Sequence, residues 1–144
     1  MDPVSWAGLA LIVVLTLASA LLVLAESAAL ELSRSSLADM GHAPDRSTAR
    51  LLVLLENRFR FWVSARMGST ILIFASAALA ATTVGDELGI ALSSRAGGVV
   101  LAIALLAVVH AGLARVAPRI LAQRHPSHLA HKLSMLAFAQ YLLF

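Results

Sequence analysis

Ionisable and hydrogen-bonding side chains stand at four places in or beside long uncharged runs of this sequence. Glu26, followed by Ser27, closes the first run, and Glu31 lies a little over a turn further on. "ARMGST" opens the second run, where Gly68 lets another backbone approach and Ser69 and Thr70 bring hydroxyls. The third run carries His110 and then Arg115, and Pro118 withdraws the hydrogen bond its nitrogen would donate to the carbonyl of Ala114. Such groups are costly in hydrocarbon and tend to face a protein interior or a water-filled cavity. Glu26, Ser69 and Arg115 are expected near the same ends of their helices, and so to converge at one depth. Each also has a plainer role. Arg115 can snorkel to headgroups, Glu26 can sit in water below the membrane, Gly68 with Ser64 and Ala65 can be a packing notch, and His110 can be a satisfied interior histidine. The sequence contains no Ser/His/Asp arrangement at motif spacing, no HExxH and no glycine-rich phosphate loop, so an enzyme is not expected.

The runs themselves define the elements that hold these residues. Of 144 residues, 60% are hydrophobic and 13% charged, with a mean hydropathy of +0.87; a soluble domain carries about 25% charged residues. Residues 4–25 and 67–85 contain no charge, and within 96–114 only His110 is ionisable. About 20 apolar residues cross a bilayer's hydrocarbon as a helix. A soluble bundle would show polar faces at helical period, and these runs show almost none. The expectation is an all-α membrane protein with three transmembrane helices at about 4–32, 62–85 and 96–121, plus cytoplasmic juxtamembrane helices. The first run lacks a positive n-region and exceeds the length of a signal peptide's apolar core, so it reads as a real span.

Charge placement orients the spans. Residues 1–33 contain no Lys or Arg, and the connector between the second and third runs has Arg95 alone. The other ten of the eleven basic residues lie in the first connector or after the third run. Basic residues accumulate on cytoplasmic flanks, which puts the N-terminus outside and the C-terminus inside, and accounts for a pI near 10.6 without nucleic acid. There is no cysteine, hence no disulfide or thiolate metal site.

Between the spans, "MGHAPDRS" reads as a turn, with Asp45 able to cap the next helix. "RSTARLLVLLENRFRFW" is basic at both ends and apolar between, which fits an interfacial helix with Phe59, Phe61 and Trp62 at headgroup level, or an ordinary helical hairpin. "GDELGIALSSRAGG" reads as a short external loop. A juxtamembrane helix is expected over 127–144, and its mid-pattern end suggests that the chain continues.

"AESAALELSRSSL", "LLENRFRFWVSARMGSTILI" and "APRILAQRHP" occur in an order and spacing that resemble the transmembrane domain of the CorC/CNNM family, linked to magnesium transport and efflux. The similarity covers nearly the whole of 1–144. In that family the first segment reads roughly S-E-T-A-x-x-S-L-S-R, the second ends in G-N-T, and the third reads G-E-x-x-P-K before an R-H-P-like exit. The resemblance implies a dimer, paired cytoplasmic nucleotide-binding modules beyond the chain, residence in the plasma membrane, and Mg2+ held by the family's serine, asparagine and glutamate. Glu26, Ala28, Leu32, Ser33, Arg34, Gly68, Thr70 and Pro118 match the pattern, and Arg119 stands for its lysine. The ligand positions depart from it: Ala25 replaces the serine, Ser69 the asparagine and Arg115 the glutamate, with Ala114 in place of the glycine. The candidate polar pocket is Glu26, Ser27, Ser69 and Thr70, with Arg115 occupying the cation's place or pairing with Glu26, Pro118 kinking the helix and Gly68 packing it.

Three functions follow from the resemblance and its departures. The protein is a CorC/CNNM-type magnesium or divalent-cation transporter with a divergent pocket; or a transport-inactive relative that partners a related chain, as homodimer or heterodimer; or a membrane anchor for a cytoplasmic domain. Membrane lipid is an expected partner and nucleic acid is not.

Overall fold

The computed structural model describes residues 3–32 and 46–143. The turn expected around Gly41 and Pro44, and the matches at Ser33 and Arg34, lie outside them. The described residues form α1 (Pro3–Glu31), α2 (Arg46–Glu56), α3 (Arg58–Thr82), α4 (Val84–Ala91), α5 (Arg95–Val109), a π-helical segment (His110–Val116), α6 (Ala117–Arg124) and α7 (Pro126–Leu143). Three stretches are long and apolar enough to cross a membrane: Ser5–Glu31, Arg58–Ala91 and Arg95–Arg124.

What these spans bury decides how they are solvated. Only 28%, 22% and 17% of their most apolar windows are buried. Most residues turned inward are small or polar, among them Thr16, Ser19, Ala25, Ala28, Ser64, Ala65, Ser69, Ser76, Ala102 and Ala114. The large ones, including Val14, Leu17, Ile71, Phe74, Val100, Leu105 and Val108, face outward. A water-soluble bundle would invert that arrangement. In lipid, which is as apolar as leucine, helices associate by close backbone approach and interhelical hydrogen bonds, and small residues line the contact.

Two stretches differ from the sequence-based expectation. Asn57 leaves helical geometry at φ −111° and ψ 43°, as asparagine does when it competes for backbone hydrogen bonds. It divides the predicted interfacial helix, so Phe59, Phe61 and Trp62 begin the second span. Phe59 and Trp62 are exposed and stacked, with ring centroids 6.3 Å apart, while Phe61 is buried. The external loop contains the eight-residue helix α4, with Asp86 and Glu87 in its first turn, where carboxylates complement the dipole. Ser93 takes a positive φ of 52° to reverse the chain, and the Ser94 hydroxyl caps α5 by accepting from the Gly97 N–H at 3.2 Å. A Cβ on Gly98 would run into the Gly85 carbonyl and the Gly89 backbone, so glycine is what lets α4 lie on α5.

At the basic end, α2 and α7 wrap the lower end of α1. Ala25, Ala28, Ala29 and Leu32 share one core with Leu51 and Leu54 of α2, Phe61 of α3, and Ala130, Ala137 and Tyr141 of α7.

Candidate functional site

A polar pocket of about 210 Å³ opens between α1, α3 and α6 at the basic end of the spans, lined by Glu26, Ser27, Leu30, Glu31, Trp62, Arg119 and Gln123. Glu26 is its deepest acid, 6% exposed. Its carboxylate has no hydrogen-bond or ion-pair partner among the described residues, so its oxygens are left to whatever enters the pocket. Ser27, Glu31 and Gln123 add oxygen atoms around it. Arg66, Arg119 and Arg115, in that order, are the cations whose field reaches Glu26. The Arg66 guanidinium lies 5.6 Å from the centroid of the Trp62 ring, and its buried Nε has no partner.

The residues singled out in the sequence divide into two groups here. Glu26 and Ser27 line the pocket. Ser69 is buried but does not line the pocket, and its hydroxyl donates to the Arg66 carbonyl at 3.1 Å; the Thr70 hydroxyl donates to the same carbonyl at 2.7 Å from an exposed position. Both hydroxyls are thereby spent on their own helix. Ala25, Gly68 and Ala114 are buried and close-packed. Arg115 is exposed, does not line the pocket and forms no ion pair with Glu26 among the described residues.

The helix carrying Arg115 explains its position. Where a kink at Pro118 is expected, the irregularity comes one turn earlier, as the seven-residue π segment His110–Val116, closed by the Ala117 N–H bonding the Gly112 carbonyl. The inward positions recur every four residues through and beyond the segment, at His110, Ala114, Pro118 and Ala122. Arg115 then stands just off the inner face, and Arg119, one turn later, reaches the pocket. Such π segments are frequent at functional sites. Higher in the bundle the buried His110 meets the Ser19 hydroxyl through Nε2 at 3.2 Å, tying α1 to the π segment; its Nδ1 is buried without a partner.

Sequence reasoning overlooked Gln123 and weighed Arg119 only as the counterpart of a family lysine. Their i, i+4 spacing beyond Pro118 was a usable signal, since it stacks both on one helix face. Glu26, Ser27, Glu31 and Gln123, with Arg119 on the same wall, form an oxygen-lined, electrostatically contested pocket. Chemically it can hold a hydrated hard cation or an internal guanidinium.

The chain matches the family model described as the Cyclin M transmembrane N-terminal domain, CNNM, over residues 10–144. None of the curated proteins matches it.

Proposed function

From a chain that belongs to the CNNM family by its transmembrane domain, we propose a role in divalent-cation transport across the plasma membrane, with Mg2+ as cargo. The observation that carries this reading is the buried, unpartnered Glu26 carboxylate on the wall of a polar pocket that opens at the basic, cytoplasmic end. Mg2+ dehydrates reluctantly and is commonly held by one or two carboxylates with several waters kept. Glu26 and Glu31, with Ser27 and Gln123, offer that kind of incomplete shell. The protein works as a dimer, with itself or with a related chain, and neither nucleic acid nor catalysis enters this reading. Reconstitution into liposomes with a trapped magnesium dye tests it: the unmodified protein should pass Mg2+ and Glu26→Gln should not. Equal flux through both overturns the reading.

A second reading, a transport-inactive partner subunit, is favoured by the three arginines around one buried acid and by the close packing at Ala25, Ser69 and Ala114. Its cation would be Arg119, which lines the pocket, or Arg66, rather than Arg115, which does not line it. It expects no flux from the unmodified protein, and flux regained when Ala25→Ser, Ser69→Asn and Arg115→Glu are combined.

A further inference from the structure

A second polar pocket lies on the cytoplasmic end of the molecule, where α2 crosses α7. Among the described residues, Arg46, Ser47, Arg50, His131, Lys132 and Met135 line it, and no carboxylate does. The Ser47 hydroxyl and His131 Nδ1 are 2.8 Å apart, a bond that fixes the register of the two helices and sets their basic residues against each other. We propose that this pocket binds the phosphate of an anionic phospholipid headgroup in the cytoplasmic leaflet.

Its depth follows from the core beneath it. Leu51 and Leu54, one and two turns beyond the pocket's α2 residues, pack on Ala25–Leu32, the cytoplasmic end of the first span. On α7, Ala130, Ser134 and Ala137 face the same core, which turns Lys132 and Met135 outward. The pocket therefore sits beside the point where the first span leaves the hydrocarbon, at headgroup level. Phe59 and Trp62, exposed and stacked on the same end of the molecule, belong at that level too, as interfacial aromatics do.

The lining selects the ligand. The cations of Arg50 and Lys132 on its wall draw an anion. Basic pockets between helices on the cytoplasmic side suit acidic lipid headgroups. Met135 adds an exposed thioether at the rim, and Val53, three residues after Arg50 on α2, is exposed too. Free phosphate has no use for such apolar neighbours, whereas a glycerolipid carries its own apolar part next to its phosphate.

The test uses the full chain purified in neutral detergent, with lipid adducts counted by native mass spectrometry. Dioleoyl-phosphatidylglycerol, dioleoyl-phosphatidylcholine and inorganic phosphate are the three probes. Phosphatidylglycerol should be retained preferentially. Arg50→Gln with Lys132→Gln should lower that retention about thirty-fold, from about 1 kcal/mol per cation near an anionic surface, while Lys132→Gln alone should lower it several-fold. Arg124→Gln, which removes an exposed cytoplasmic cation outside the pocket, should leave it unchanged. Equal retention of the two lipids overturns the proposal. So does an effect of Arg124→Gln as large as that of Lys132→Gln, which would mean diffuse surface charge. Inorganic phosphate competing as well as the lipid would reassign the pocket to a free anion. None of these outcomes depends on whether the protein moves magnesium.

Discussion

Replacing Arg119 by glutamine should tighten Mg2+ binding at the Glu26 pocket. A sphere with the pocket's 210 Å³ has a radius of about 4 Å, which sets the separation between a centred ion and a charge on the wall. Two positive charges on the ion and one on Arg119 then repel by about 8 kcal/mol at an effective dielectric of 20, and by about 2 kcal/mol at that of water. Arg119 is exposed, so the aqueous limit applies, and about 2 kcal/mol corresponds to roughly thirty-fold in affinity. Isothermal titration of the detergent-purified protein with magnesium chloride at low ionic strength measures it. The gain should shrink as salt rises, because the screening length falls from about 10 Å at 0.1 M to about 3 Å at 1 M. Glu26→Gln should move affinity the other way, and the double variant should bind more weakly than Arg119→Gln alone. An Arg119→Gln protein whose affinity is unchanged or lower refutes the placement of the ion in this pocket. A gain that ignores salt refutes the electrostatic account of it.

Four further outcomes follow from the packing. Ser19→Ala leaves both His110 ring nitrogens without a partner and should cost about 0.6–1.7 kcal/mol, the range for interhelical bonds within membranes, seen as a lower denaturation midpoint in detergent. Gly98→Ala drives a methyl into the Gly85 and Gly89 backbone and should destabilise by about 1–3 kcal/mol. Gly112→Ala meets nothing within 4 Å and should be neutral or stabilising by up to about 1 kcal/mol. Phe61→Ala empties the centre of the cytoplasmic core and should cost about 3–5 kcal/mol, whereas Phe59→Ala, on an exposed ring, should leave the melting midpoint nearly unchanged.

Much of the architecture is legible from residue order. The three spans follow from uncharged length. The inward small residues at Ala25, Ala28, Ser64, Ala65 and Gly68 sit where the family resemblance and the packing notch anticipate them. The end of the interfacial helix was less visible, because Asn57 breaks it through local backbone competition that a smooth hydropathy pattern hides. The α4 stretch reads as loop in the sequence for a similar reason. Its glycines, ordinarily breakers, are there to permit close approach to Gly98. At the pocket, Glu26 could be picked out because a buried acid at the end of an apolar run is costly. Ser69 and Thr70 could not be assigned from type alone, since a hydroxyl's partner is as readily its own helix's carbonyl.

Hydropathy and net charge are sums over a segment, so the sequence alone determines that this chain is helical, crosses a membrane three times and gathers its cations at one end. Which polar side chains share a cavity depends on rotation about each helix axis, and that is set by contacts. The packing of the third span puts Arg119 rather than Arg115 on the wall of Glu26's pocket, and the Arg66 carbonyl takes both nearby hydroxyls. Those choices come from helices settling into one another's small-residue faces. They exist only once the bundle is assembled.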